Sequence, residues 1–212
     1  FALFAAEPEP QDNLIDRYLV AAELSGIEPI ILLNKTDLIN DENRQRVESM
    51  INLYRSIGYQ VMQVSSTDKE GLAPLREQLN NRISVFVGQS GVGKSSLINA
   101  LLPGIDLKVG ALSEATRKGT HTTTTARLFH FPEGGDLIDS PGIREFALWH
   151  INEHNLLDGF REFAPFIGYC KFRDCNHEQE PGCAIKGAIE EGKISEQRVN
   201  SYKHILNTLN QD

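Results

Sequence analysis

The run Gly88-Gln89-Ser90-Gly91-Val92-Gly93-Lys94-Ser95 constrains this chain more than any other stretch. It follows the short apolar segment 83–87 without a spacer, and it opens a segment in which Leu97, Ile98 and Leu101 repeat at helical spacing. A G-x-x-x-x-G-K-S run between a strand and a helix is a phosphate cradle. Its glycines let consecutive backbone N–H groups point inward, at the positive end of the helix that follows. Lys94 places a point charge on the outer phosphates. Ser95 offers its hydroxyl to a magnesium ion that keeps most of its waters, and Ser96 is counted with the nucleotide-binding set.

The rest of the chain supplies the sheet such a loop needs. Short apolar runs at 1–6, 30–33, 61–64 and 83–87 alternate with helical patterns, the sequence of a parallel sheet with helices on both faces. The run 30–33 has no polar member, as a strand buried on both faces requires. Val47, Met50, Ile51 and Tyr54 mark one helix, closed by Gly58, and Leu72, Leu75 and Leu79 mark another. Asn13 and Asp16 look like a capping pair for the helix after the first strand, with Leu14, Tyr18 and Ala22 on its buried stripe. Segments 127–131 and 136–138 read as strands joined by a turn at 132–135, and 107–125 reads as a threonine-rich mobile loop.

Past Trp149 the pattern changes to aromatics, cysteines and two polar helices, the last marked by Val199, Tyr202, Leu206 and Leu209. The expected division is therefore 1–150, an α/β nucleotide domain, and 151–212, a small helical domain. No apolar run is long enough to span a bilayer. The net charge of −8 argues against indiscriminate binding to nucleic acid, though a local basic face stays open at Arg117, Lys118, Lys171 and Arg173. Residues 1–6 read as a strand already under way, so the chain is expected to be a fragment of a longer protein.

The base is read elsewhere. Asn34-Lys35-Thr36-Asp37 directly follows the buried strand 30–33. The Asp37 carboxylate can accept from both N–H groups on the Watson–Crick edge of guanine, and adenine lacks that pair. Each charge-assisted bond is worth roughly 1.5–3 kcal/mol. Lys35 can lay its stem over the base, and Asn34 can tie the two loops together. Ser65-Ser66 follows the strand 61–64, where a backbone N–H can meet the guanine oxygen; a plain serine turn fits equally well. Asp139-Ser140-Pro141-Gly142 follows 136–138, so that Asp139 reaches magnesium through a water and the Gly142 N–H faces the γ-phosphate. One threonine of 122–125 completes the magnesium shell, Thr122 or Thr123, and the sequence does not choose between them. Familiar GTPases run from phosphate loop to guanine motif. Here Asn34 precedes Gly88, so the chain is a circular permutant, which a site tolerates when the old termini lie close together.

Cys170-x4-Cys175-x-His177-x5-Cys183 supplies three thiolates and one imidazole, a closed tetrahedral set for one structural zinc. Three cysteines within fourteen residues point to metal in a reducing compartment rather than to a disulfide framework.

The permuted order, the phosphate loop, Gly119-Thr120-His121-Thr122-Thr123-Thr124, the run 139–142 and the cysteine–histidine cluster together resemble the ribosome small subunit-dependent GTPase A (RsgA) family. The resemblance implies a GTP hydrolase that acts late in maturation of the bacterial small ribosomal subunit and is stimulated by that subunit and its rRNA. It implies GTP or GDP, Mg2+ and Zn2+ as cofactors, a cytoplasmic monomer, and an OB-fold RNA-binding domain ahead of Phe1. Ile143 stands where Ras-like enzymes carry a water-orienting glutamine, and the resemblance points to His121 as the catalytic replacement. The rival readings are a permuted large-subunit GTPase, which would lack the zinc cluster, and a zinc-stabilised RNA-binding module that uses GTP only as a conformational ligand. An ATP-dependent kinase is opposed by Asp37.

Overall fold

The computed structural model describes residues 1–102, 104, 105, 107, 127–139, 151–153, 155–175, 177 and 180–209. They form two compact units, Phe1–Ile15 with Pro29–Phe146, and Asp16–Glu28 with Ala147–Asp212. The sequence reading expected a single cut near Ile151. The second unit instead also takes in a segment from near the start of the chain.

The first unit is built on β1 (Ala2–Ala5), β2 (Ile30–Asn34), β3 (Gln60–Gln63) and β5 (Val87–Gly88), all parallel, in the order β3-β2-β1-β5. A second ladder runs β4 (Ile83–Val85), β7 (Asp136–Asp139), β6 (Arg127–His130), with β4 parallel to β7 and β6 antiparallel. Only Phe86 separates β4 from β5, and Phe1 bridges the gap. Its nitrogen donates to the Val85 carbonyl at 2.7 Å, and its own carbonyl accepts from the Val87 N–H at 3.0 Å. The stretch 83–88, expected as one strand over 83–87, is thus split at Phe86 and serves both ladders.

β1 and β2 are buried along their whole length, which explains why neither alternates polar with apolar. The helices of this unit are α2 (Arg44–Ser56), α3 (Ala73–Leu79) and α4 (Lys94–Leu101). Their predicted stripes are buried: Val47, Met50, Ile51 and Tyr54; Leu72, Leu75 and Leu79; Leu97, Ile98 and Leu101. Leu107, expected at the head of a mobile loop, is buried. The Asn99 side chain brackets it with two 2.9 Å bonds, one to its carbonyl and one from its N–H.

The second unit holds the 3-10 turns Leu156–Gly159 and Arg161–Phe166, with helices α5 (Ala184–Glu190) and α6 (Glu196–Leu209). The 3-10 turns carry too short a period to be read from sequence. Phe160 stacks on Phe163 with centroids 5.0 Å apart, and Tyr202 meets Phe160 edge-on at 5.8 Å. Helix α1 (Asp12–Leu24) gives Val20 to this core. Asp16 is not a helix cap: it lies in mid-helix, wholly buried, and accepts from Arg198 of α6, which also pairs with Glu162 through Nε at 2.5 Å. The buried face of α1 is Ile15, Asp16, Tyr18, Leu19 and Val20, turned from the predicted stripe because a carboxylate claims a place on it. On α6 the predicted Val199, Tyr202, Leu206 and Leu209 all meet the core, and Arg198, Ser201 and Ile205 widen the buried face beyond them. Among the described residues no helix is long and apolar enough to cross a membrane.

Candidate nucleotide and metal sites

In a parallel sheet every strand delivers its following loop to the same edge, and ligands bind outside that carboxyl edge. The loops after β1, β2, β3, β5 and β7 are segment 7–10, the Asn34 motif, Ser65-Ser66, the phosphate loop and the end of Asp139. Residues spread from 34 to 139 in the chain therefore share one edge, whatever their order.

The phosphate loop is shaped by its neighbours. A Cβ on Gly88 would lie 2.3 Å from the Leu3 carbonyl oxygen, because β5 runs hard against β1. Gly93 has φ +88°, and a Cβ there would lie 2.5 Å from Asn34 Nδ2. That amide donates to the Val92 carbonyl at 2.9 Å and to the Gly93 carbonyl at 3.5 Å. Asn34, fully buried, thus ties the loop 34–37 to the glycine-rich loop 88–95. Lys94 folds over its own loop, donating to the carbonyls of Gly88 at 2.6 Å and Gln89 at 2.9 Å. Gln89, Ser90, Gly91, Ser95 and Ser96 complete the loop and the first turn of α4.

The loop 34–37 is just as ordered. Lys35 adopts left-handed backbone (φ 59°, ψ 42°) and sends Nζ to the Glu7 carbonyl at 3.0 Å. The Thr36 N–H donates to the Val64 carbonyl at 3.2 Å, joining the loop to the end of β3. Ser65 Oγ donates to Asp37 Oδ1, and Thr67 Oγ1 lies 2.7 Å from Ser65 Oγ. The side chain of Ser65 therefore fixes the carboxylate, a role sequence reading had not given it, and Thr67 was missed altogether. The S-x-T spacing after a strand was the available signal.

Asp139 ends β7 and is buried, which pushes its carboxyl above the usual range, while Lys94 and Arg127 pull it down. A buried carboxylate beside the phosphate lysine suits a water-mediated hold on magnesium. His121, Thr122, Thr123 and Gly142, with Arg117 and Lys118, lie outside the described residues. A separate cavity of about 250 Å³, lined by Arg76, Glu77, Asn80, Phe131, Glu133 and Gly134, contains no motif residue. Chemistry, not concavity, locates the site.

In the second unit, one ligand atom from each of Cys170, Cys175, His177 and Cys183 lies within 4.8 Å of the others. His177 Nδ1 is 3.5 Å from Cys170 Sγ and 3.4 Å from Cys183 Sγ, and the two sulfurs are 4.0 Å apart. Tetrahedral zinc with bonds of about 2.3 Å to sulfur and 2.0–2.1 Å to nitrogen sets such edges at about 3.5–3.8 Å, so these residues fit the ion. Backbone N–H groups of Ala184 and Lys186 donate to Cys170 and Cys183 sulfurs at 3.4 Å, the orienting shell such ligands need. Burial pushes the Cys175 thiol up to about 12, and the neighbouring thiols add to the rise. Burial also holds His177 down, in the neutral form that ligates, against a weaker upward pull from Glu180.

A family model described as RsgA GTPase matches residues 1–149. The chain belongs to the RsgA GTPase family. It is 58% identical over 210 residues to the small ribosomal subunit biogenesis GTPase RsgA of Ectopseudomonas mendocina, covering 99% of this chain and 61% of that protein. The protein of the same description from Pseudomonas aeruginosa is 57% identical over 207 residues, with 98% and 61% covered. The chain thus spans about three fifths of the length of the curated relatives it matches. Among solved structures, YjeQ from Thermotoga maritima superposes with a TM-score of 0.82 at 34% identity, covering 98% of this chain and 70% of that one. YloQ, described as a circularly permuted GTPase, gives 0.78 at 34% identity, with 99% and 68% covered. The fold is that of the permuted P-loop GTPases.

Proposed function

We propose that this chain binds GTP and GDP with magnesium, hydrolyses GTP to GDP and phosphate, and serves late maturation of the bacterial small ribosomal subunit. The observation that carries the reading is the Asn34 bridge. One buried amide joins a phosphate loop to a carboxylate loop whose Asp37 is held by Ser65, so base and phosphates are read by one rigid frame. The backbone of 88–93 faces the phosphates, and Lys94 moves its charge from the Gly88 and Gln89 carbonyls to them. Ser95, Asp139 and Thr122 or Thr123 hold magnesium, which when bound neutralises charge developing on the phosphates. Asp37 accepts from the base, Lys35 covers it, the Ser65-Ser66 loop meets its oxygen, and Gly142 faces the γ-phosphate. His121 orients the attacking water in place of the glutamine that Ile143 excludes.

Residues 1–150, apart from 16–28, act as the GTPase domain. Residues 151–212, with 16–28, form the zinc domain, in which the cysteine–histidine set holds one structural zinc. The small subunit and its rRNA are the partners, the protein is a monomer, and the cytoplasm is its compartment. The names of the curated relatives support the small-subunit part of the assignment.

The test is GTP turnover against added small subunits, large subunits and free RNA, with this chain and with a longer one carrying the expected OB-fold. Small subunits should stimulate both, the longer chain more, and salt should weaken the effect as phosphate contacts release counterions. Equal stimulation by large subunits overturns the small-subunit assignment. In the same assay His121→Ala should slow turnover about 100-fold with GTP affinity unchanged; unaltered turnover moves the activating group elsewhere.

A further inference from the structure

Segment 7–10 has no regular structure and no ladder of its own, yet it sits against both halves of the nucleotide site. The Glu7 carbonyl receives the Lys35 ammonium at 3.0 Å, and the Glu9 carbonyl receives Gln89 Nε2 of the phosphate loop at 3.2 Å. Pro8 lies 3.6 Å from where a Cβ on Gly91 would stand. What holds the segment there comes from the start of α2. Arg46 Nη1 pairs with Glu9 Oε1 at 2.7 Å, while Nη2 lies 3.8 Å from Glu7 Oε1 and donates to the Ala6 carbonyl at 3.3 Å. Buried Asn43 adds a 3.4 Å bond to Glu7 Oε1 and a 3.1 Å bond to the Leu38 carbonyl.

Resting on the nucleotide-binding reading above, we infer that Arg46 is a positioning residue for guanine-nucleotide binding, acting through segment 7–9 on Lys35. A lysine stem that must lie flat over a base has four rotatable bonds to fix, and anchoring its far end removes that freedom before the ligand arrives. Glu7 supplies the anchor as a backbone carbonyl, so its placement depends on what holds the segment. Helix α2 is locked into the core by Val47, Met50, Ile51 and Tyr54, so Arg46, with Asn43 beside it, transmits a fixed position to a loop that has no ladder of its own. The Glu7 and Glu9 carboxylates are solvent-exposed and Arg46 is half-buried, so the pairs add little to global stability, which separates this role from a folding role.

A double-mutant cycle on the full chain tests it, reading release of a fluorescent GDP analogue. Arg46→Ala should speed release about fivefold, the ratio to which the upper end of an exposed ion-pair energy converts. In a Lys35→Ala background, adding Arg46→Ala should change nothing further, because the group it positions is gone. Arg46→Lys, which keeps the Glu9 pair, should recover part of the retention; if the alanine variant melts early, the same cycle is run with the lysine variant. Equal acceleration in both backgrounds, or none with Lys35 present, overturns the inference. A wild-type chain that does not retain GDP overturns the nucleotide reading itself, and is seen before any variant is made.

Discussion

The carboxyl edge of the first unit and the cysteine–histidine cluster of the second are the two proposed ligand sites, but they are kept in shape by opposite means. At the carboxyl edge the protein satisfies itself. Lys94 lies on its own loop's carbonyls, Asp37 accepts from Ser65, and Asn34 bonds across to Val92. Each group has an internal partner that a nucleotide replaces or shares, so the frame stands without one. In the cluster, three thiols and an imidazole are packed within 4.8 Å, and burial pushes the Cys175 thiol up to about 12. Only a cation makes three adjacent thiolates favourable. A site made of backbone and reciprocal bonds is preorganised; a site made of like side chains is completed by what it binds.

That contrast predicts its largest effect at the cluster. Structural zinc contributes about 10 kcal/mol or more in small domains. Cys175→Ser or chelation should unfold the second unit, with hydrogen exchange rising across α5 and α6, and elemental analysis of untreated protein should give one zinc per chain. Nucleotide affinity should be largely retained. If it collapses with the zinc, the two regions are not energetically separable and the comparison fails.

A charge cluster in the second unit that needs no ligand sharpens the point. Arg198 is completely buried between Asp16 and Glu162, with its guanidinium 4.5 Å from the Phe160 ring centroid. Arg198→Ala leaves two carboxylates uncompensated and should destabilise that unit by about 3–5 kcal/mol. Denaturant unfolding followed at Tyr202 measures it. A loss below about 1 kcal/mol would mean that the carboxylates simply take up protons or water.

At the carboxyl edge the corresponding change alters choice rather than folding. Asp37→Asn should weaken GTP by at least about 100-fold, two charge-assisted bonds being lost, and should favour xanthosine triphosphate, which offers an acceptor instead. Equal affinity of the unaltered chain for ATP and GTP would remove Asp37 from base reading. The melting temperature should barely move, since Asp37 is exposed.

The smallest effect is expected at Asp139. Its carboxyl is raised by burial, so the folded state binds more protons than the unfolded one between the ordinary value of 3.8 and the raised one. Its contribution favours folding at low pH and is lost as pH climbs through that window. Asp139→Asn removes the penalty, so the nucleotide-free variant should melt slightly above the wild type at pH 7, and the gap should close on acidification. Magnesium-dependent tightening of nucleotide should fall in the same variant. Calorimetry across pH checks the sign, and a gap that widens toward low pH contradicts it.

Most of this was legible in the chain, unevenly. The strands, the phosphate loop and the Asn34 motif declare themselves because each is local: a residue's own neighbours dictate its role. The buried face of α1 was misjudged, and the extra width of the α6 face missed, for the converse reason. Asp16 and Arg198 are 182 residues apart, and nothing near either announces that it will be buried. Pro8 and Pro10 show only that segment 7–10 ends the first strand, and its place beside Lys35 and Gln89 follows from the parallel register that brings β1, β2 and β5 together.

The sequence by itself determined which ligands this protein's chemistry suits, because donor types, glycine positions and ligand spacing are properties of short runs. Tertiary structure alone decided how those runs are held. Ser65 against Asp37, Asn34 against Gly93, Arg46 behind Lys35 and a helix from near the chain's start inside the second unit are all contacts between distant residues. Their energies depend on burial and geometry, and no local pattern encodes either.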